Sequence, residues 1–270
     1  MNEDQYKNIF NLKGKTAVVT GGIGILGKSF CAGLASFGAN VVVIDLDEKK
    51  ILSFVKELKG KYGTDSMGVS CDVTSPNEVN KTIESILNKY GSIDILLNNA
   101  QGETIAKDFE DCTLEDWRVT SSVNEEGYFL MSQAVGLSMA EKGNGGSIIQ
   151  TSSIYGILGP DHRVYEGATI DGKQMGTRAV YSFTKAGVIG LTKYLATYWA
   201  DKNIRVNTLT PGGVENGQHK KFIEQYSNRV PLNRMAKKDD LVGAIIFLSS
   251  DASSYITGQN IIVDGGLHSW

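Results

Sequence analysis

The sequence has only four prolines and three cysteines in 270 residues. Cys31, Cys71 and Cys112 are odd in number, far apart and never in C-x-x-C spacing, so neither a disulfide framework nor a zinc site is expected. They read as buried small hydrophobes in a reducing compartment, and no metal is expected. A strong charge of either sign is also missing. With 27 basic against 30 acidic residues the net charge is −3, which draws the chain neither to nucleic acid nor to an anionic membrane. No window reaches the roughly 18 uninterrupted apolar residues of a membrane-crossing helix, and the polar start MNEDQYKNIF lacks the apolar stretch of a secretory leader. The expectation is a cytoplasmic protein without nucleic-acid or membrane partners. Internal repeats, low-complexity stretches and linkers are absent as well.

What is abundant is glycine, at 31 residues, within an ordinary globular composition of 41% hydrophobic and 21% charged residues. With so little proline, that glycine implies tight turns and close backbone approaches in a regular fold. The length suits one α/β domain. Lys15–Thr20 is a compact β-branched run, expected as a buried strand, and it leads straight into Gly21-Gly22-Ile23-Gly24-Ile25-Leu26-Gly27. Apolar residues at helical spacing follow from Lys28 to Phe37, closing at Gly38. A second strand, Val41–Ile44, stops at Asp45. Such an assembly binds a dinucleotide: glycines let the backbone approach a pyrophosphate, whose charge meets the unpaired amides and positive dipole end of the next helix. An acid at the following strand end can take both adenosine ribose hydroxyls. Asp45 would repel a 2′-phosphate, and neither Leu46 nor Asp47 supplies a cation to receive one. NAD is therefore expected ahead of NADP.

The alternation continues. Helices are expected at about 47–59, 76–90, 113–140, 178–200 and 238–249, with strands at Ser66–Cys71, Ile93–Leu97, Ser147–Thr151, Ile204–Leu209 and Asn260–Val263. Strands alternating with helices imply right-handed crossovers and ligands at the carboxyl ends of the strands. The fold class is α/β: a Rossmann-like doubly wound parallel β-sheet in a three-layer αβα sandwich, one domain over 1–270. Asp72, after the third strand, has two readings. Its carboxylate faces the adenine amino group, or it serves the turn and helix start at Thr74-Ser75-Pro76.

Past the middle of the chain, Tyr181-Ser182-Phe183-Thr184-Lys185 places a phenol and an ammonium four residues apart, on one face of a helix. Alone the pair also fits a core-facing ring beside a solvated charge. With TGGIGILG at 20–27, Asp45, Asp72-Val73, Asn98-Asn99-Ala100, Asn124, Ser152-Ser153, Pro211-Gly212 and Val263-Asp264-Gly265-Gly266, the chain resembles the short-chain dehydrogenase/reductase family from about Leu12 to Gly266. The resemblance implies a nicotinamide cofactor and a catalytic set of Asn124, Ser153, Tyr181 and Lys185. Tyr181 is then the general acid/base. Lys185 holds the nicotinamide ribose and favours phenolate, Ser153 steadies the substrate oxygen, and Asn124 binds a main-chain carbonyl and positions a relay water. Asn124 also reads as a helix-interior capping residue. The cofactor contacts implied are Gly21, Ile23, Gly24, Ile25, Leu26, Asp45, Asp72, Val73, Asn99, Ala100, Tyr181, Lys185, Pro211, Gly212 and Val214. Family members usually form tetramers, so a homotetramer or homodimer is expected.

Three departures from the family pattern stand out. The glycine spacing is the G-x-x-G-x-x-G of longer, sugar-nucleotide-modifying members, although their additional C-terminal substrate domain is lacking. Asn98-Asn99-Ala100 is followed by Gln101-Gly102, which displaces the usual glycine by one and lets Gln101 face cofactor or substrate. Ser153 and Tyr181 stand 28 residues apart, about twice the usual separation. The extra chain, about 158–178, is polar and is expected to shape the substrate site together with about 212–230. Within these segments His162, Arg163 and Gly213 are candidate substrate contacts. A surface insertion or subunit contact is the alternative. The finer resemblance is to oxidoreductases of surface-sugar and flagellin modification and to gluconate-type polyol dehydrogenases. The expected function is an oxidoreductase interconverting a secondary alcohol and a ketone on a small hydroxylated or keto substrate: a sugar, sugar nucleotide or sugar acid. The alternatives are a 3-oxoacyl thioester reductase and, in another class, a non-catalytic dinucleotide-binding scaffold, whose mark would be loss of Tyr181 or Lys185.

Overall fold

The computed structural model describes residues 6, 8–102, 108–170 and 172–270. Seven parallel strands form one sheet: β1 (Thr16–Thr20), β2 (Asn40–Asp45), β3 (Met67–Ser70), β4 (Ile95–Asn98), β5 (Gly146–Thr151), β6 (Ile204–Pro211) and β7 (Asn260–Val263). Their spatial order is β3-β2-β1-β4-β5-β6-β7. The order reverses beside β1, between β1 and β4, and at such a switch point a crevice opens outside the carboxyl ends of the strands. This is the α/β, Rossmann-like sandwich that the alternating pattern implies.

Burial on both faces explains the continuous apolar strands. Ala17, Val19, Val41 and Val43 face one core, with Phe30 and Leu34 of α1 (Ile25–Ser36), Ile51 and Val55 of α2 (Glu48–Tyr62), and Ile245 further on. The alternate residues Val18, Val42 and Ile44 face a second core. Opposite them pack Ile83 of α3 (Pro76–Tyr90), Met131 and Val135 of α5 (Tyr128–Lys142), and Leu195 of α6 (Ala179–Tyr198). Further helices are α4 (Leu114–Ser121), α7 (Lys220–Ser227) and α8 (Val242–Ser249), the last carrying Ile245. Caps set several of the starts. Asp47 accepts from Lys50 N–H before α2, and Ser75 accepts from Glu78 N–H with Pro76 as the first residue of α3.

Three local details refine the sequence reading. α1 begins at Ile25 rather than Lys28, directly out of the glycine loop with Gly24 as its N-cap. The helical stretches expected near 113–140 are α4 and α5, joined by a π-helical turn, Ser122–Gly127. The insertion is not a bare loop. It forms a 3-10 turn at His162–Tyr165 and a two-residue antiparallel ladder of Thr169–Ile170 with Lys173–Gln174. Its Val164, Tyr165 and Ala168 join Phe222, Tyr226, Val230 and Met235 in a third apolar cluster against α7. Cys31 and Cys71 are buried, whereas Cys112 is half-buried beside the start of α4. Among the described residues no helix is long and apolar enough to cross a membrane, and no group of side chains could hold a metal ion.

Candidate active site

One cavity of about 670 Å³ runs from the end of β2 to the start of α6. The glycine loop forms its near wall. Gly21 has φ +62°, and a Cβ there would lie 2.9 Å from Ala100 Cα, so the turn and the close approach both require glycine. A Cβ on Gly27 would lie 2.0 Å from the Gly21 carbonyl oxygen, so the first turn of α1 sits directly on the loop. Thr20 ties the loop to the end of β4: its Oγ1 accepts from Asn99 N–H (2.9 Å) and Ala100 N–H (3.0 Å). The Asn99 amide donates to the Thr20 carbonyl (3.2 Å). Asn98 instead points into the core, donating to Gln150 Oε1 (2.9 Å) and Ser132 Oγ (3.0 Å).

Asp45 closes the β2 end of the cavity. Its Oδ2 accepts from Ile23 N–H (3.1 Å) and its Oδ1 from Leu46 N–H (2.9 Å). Gly21, Gly24, Ile25, Leu26, Asp45, Val73, Asn99 and Ala100 all line the cavity. Ile23 does not; its backbone meets Asp45 while its side chain packs on the core. Asp72 does not either. Its Oδ1 accepts from Thr74 N–H (2.9 Å) and Thr74 Oγ1 (2.8 Å), so the carboxylate serves the turn, and its neighbours Cys71 and Val73 form the wall.

At the other end, β5 delivers Thr151, Ser152 and Ser153 beside the first turns of α6. The two serines divide their work. Ser152 Oγ donates to the Lys185 carbonyl at 2.6 Å, pinning α6 to the strand end. Ser153 Oγ accepts from Tyr155 N–H (3.2 Å) and is hydrogen-bonded to Tyr181. Lys185 is 1% exposed. Its Nζ donates to the Thr151 carbonyl (2.9 Å) and the Tyr128 hydroxyl (3.4 Å), and lies 5.8 Å from the Tyr181 ring centroid. Burial penalises the ammonium and pushes its pKa down to about 7. Burial also raises the Tyr181 phenol above its ordinary value, with the Ser153 hydrogen bond opposing.

Asn124 sits in the π turn, fully buried beneath the cavity. Its Oδ1 accepts from Gly102 N–H (3.0 Å) and its Nδ2 donates to Thr184 Oγ1 (3.1 Å). Among the described residues its side chain thus meets a main-chain amide and a hydroxyl, with the turn aiming it at the loop after β4.

Pro211, Gly212, Gly213 and Val214, leaving β6, and Gln101 complete the predicted wall. His162 and Arg163 lie elsewhere, in an adjoining cavity of about 780 Å³ on the far side of Tyr165. The Arg163 guanidinium is bonded to both oxygens of Asp161 (2.8 and 2.9 Å), and Asp161 also pairs with Arg229. Tyr155, Tyr165, Phe222, Tyr226 and Met235 also line the cavity; Tyr165, Phe222 and Tyr226 fall in the two segments expected to shape the substrate site, but none of the five is among the individually named candidates. Tyr226 accepts from Gly213 N–H at 2.6 Å, and Tyr155 and Tyr165 share a 2.7 Å hydrogen bond between hydroxyls. Two signals were available: Tyr155 stands two residues after Ser153, and Phe222 and Tyr226 are an i, i+4 pair in the segment after Pro211.

Residues 22–268 match the family model described as enoyl-(acyl carrier protein) reductase. The chain is 36% identical to a 3-oxoacyl-[acyl-carrier-protein] reductase of Thermotoga maritima over 95% of this chain and 98% of that protein. It is 33% identical to a D-threitol dehydrogenase of Mycolicibacterium smegmatis, over 95% and 94%. Its fold superposes on a gluconate 5-dehydrogenase of Burkholderia cenocepacia, solved with NADP and tartrate, with a TM-score of 0.86, at 32% identity and 97% and 98% coverage.

Proposed function

The chain belongs to the short-chain dehydrogenase/reductase family of NAD(P)-binding oxidoreductases, and from that premise we propose that it interconverts a secondary alcohol and a ketone of a sugar-type substrate with NAD. The observation that carries this reading is one cavity holding Asp45 at one end and Ser153, Tyr181 and Lys185 at the other. The wall between them fits a dinucleotide. A Cβ at Gly21 or Gly27 would collide with backbone, and the first amides of α1 issue from the same loop. Asp45 would take the adenosine ribose hydroxyls and repel a 2′-phosphate. Gly24, Ile25, Leu26, Ala100, Gly212 and Val214 would enclose the rest of the dinucleotide.

Bound there, the nicotinamide cofactor supplies the hydride acceptor or donor. The remaining work falls to the chain. Ser153 Oγ holds the substrate oxygen, and Tyr181 Oη, hydrogen-bonded to Ser153, takes the alcohol proton in oxidation and returns it in reduction. Lys185 would hold the nicotinamide ribose with its Nζ, fixed by Thr151 and Tyr128. Asn124 holds the loop after β4 against α6, linking Gly102 and Thr184. In this reading the insertion of 158–178 and the segment 212–230 form the substrate wall, supported by their shared apolar cluster. We also infer self-association through α6, whose Phe183, Tyr194 and Tyr198 rings are largely exposed.

Reduction of a 3-oxoacyl thioester is the second reading, favoured by the similarity to the Thermotoga maritima protein. The test is a screen of NAD and NADP reduction over polyols, sugar acids, nucleotide sugars and a 3-hydroxyacyl thioester, with Tyr181→Phe as control. Full turnover by Tyr181→Phe would sink the proton-transfer role, and preference for the thioester would replace the first reading with the second.

A further inference from the structure

We propose that the paired phenols of Tyr155 and Tyr165 form a subsite for a substrate hydroxyl beside the reacting carbinol, committing the pocket to uncharged vicinal diols such as polyols and their ketoses. This rests on the oxidoreductase reading above and narrows its substrate. Both rings line the cavity that holds Tyr181 and Ser153. Tyr155 is placed by the 3-10 turn after Ser153, whose Oγ accepts its N–H at 3.2 Å. Tyr165 comes from the insertion and is 6% exposed, stacked on Phe222 with ring centroids 5.2 Å apart. The two hydroxyls meet at 2.7 Å, and both phenols lie within electrostatic reach of Tyr181. A device joining the catalytic serine's turn to the insertion thus stands next to the acid/base.

The chemistry of the pair selects its ligand. Burial raises both phenols above their ordinary range, so each stays a neutral hydroxyl at working pH. A substrate hydroxyl both donates and accepts, and so complements such a pair. An acyl methylene does neither, and would strip water from the phenol oxygens with no hydrogen bond in exchange. Charge argues the same way. Among the described lining residues the charged side chains are Asp45, at the adenosine end, and the buried Lys185. Beside Tyr165 no described lining residue is charged: the cations within electrostatic reach of the two phenols, Arg229 and Arg178, do not line the cavity, and Arg229 is paired with Asp161.

The test compares kcat/KM with NAD for 2,3-butanediol against 2-butanol, and for a pentitol against its aldonate. The native protein, Tyr165→Phe, Tyr155→Phe and the double variant are each measured, with the NAD-induced rise in Tm as the fold control. The native protein is expected to favour the diol and the pentitol. Each Phe variant should lower the diol-to-monohydric ratio about tenfold, and the double variant should lower it no further, since both remove one linked pair. Ratios unchanged in both single variants, or an aldonate preferred to the pentitol, would overturn the inference alone. Absence of Tyr181-dependent turnover on all four compounds would overturn the oxidoreductase reading and this inference with it.

Discussion

The Lys185 ammonium nitrogen stands 3.4 Å from the Tyr128 hydroxyl, and both groups donate to the Thr151 carbonyl oxygen, at 2.9 and 3.0 Å. One backbone acceptor at the end of β5 thus gathers two side chains from two helices. Tyr128 is itself 1% exposed, and burial drives its phenol well above the ordinary range, so it acts as a fixed neutral hydroxyl. Removing it leaves the buried amine one protein acceptor fewer. Tyr128→Phe is expected to lose about 1 kcal/mol of stability in urea titration. It should also lower kcat and raise the KM for NAD several-fold. A fall in stability with unchanged kinetics would reduce Tyr128 to a packing residue.

Ser153 carries a pH signature. Its hydrogen bond lowers the Tyr181 pKa against the rise that burial imposes, so deleting it lets the phenol climb further. In Ser153→Ala the rising limb of kcat/KM against pH for alcohol oxidation should move to the alkaline side, with kcat falling about 100-fold. A limb that stays in place would separate Ser153 from the ionisation of Tyr181.

The buried amine predicts a stability change of definite sign. The folded-state pKa of Lys185, about 7, lies below its ordinary 10.5. Between these values the unfolded chain holds a proton that the folded chain does not, so this group makes stability rise with pH across the window. Below about pH 7 its penalty is fully present. The Tm of Lys185→Met relative to the native protein should therefore move in the variant's favour as pH falls from 10.5 to 7, while activity is lost. Paired thermal melts read the difference, and a pH-independent gap would contradict it.

Asp45 should set the choice of cofactor. Asp45→Ser removes both the acceptor for ribose hydroxyls and the charge that repels a 2′-phosphate. The ratio of kcat/KM for NAD over NADP should fall by about 100-fold. Because Asp45 also accepts from Ile23 N–H, part of the loss with NAD comes from a loosened glycine loop. A ratio that does not move would remove Asp45 from cofactor selection.

Phe222 links the insertion to α7. Phe222→Ala deletes a ring that stacks on Tyr165 and is 6% exposed, a change that costs about 3–5 kcal/mol in a fully packed core. Here it should act locally. Amide exchange in 161–168 should accelerate and KM for substrate should rise, while the two sheet cores keep their protection.

The parts of this protein that could be read in advance are those where one local rule acts. β1, the glycine loop and Asp45 follow from strand composition, glycine geometry and helix polarity, all within 30 residues. The i, i+4 spacing put Tyr181 and Lys185 on one face of α6, and Ser152 and Ser153, adjacent in sequence, make different hydrogen bonds. What stayed hidden depends on distant packing. Tyr155, Tyr165, Phe222 and Tyr226 meet only because the insertion folds onto α7, and nothing in either segment announces its partner. Arg163 looked like a substrate contact because a sequence does not show that Asp161, two residues earlier, is turned to bind it. Asp72 fell to ordinary turn chemistry for the same reason.

The π turn at Ser122–Gly127 carries one more residue than a regular helix would need to join α4 to α5. Removing a single residue there would let the two helices merge into an unbroken α-helix, with better local hydrogen bonding. The same deletion would swing everything on one side of it by about 100° relative to the other. Asn124 would leave Gly102 and Thr184, and Trp117 of α4 would turn away from Phe183 on α6. At this turn, regular helix and assembled site are mutually exclusive outcomes of one residue count, and the chain keeps the irregular one.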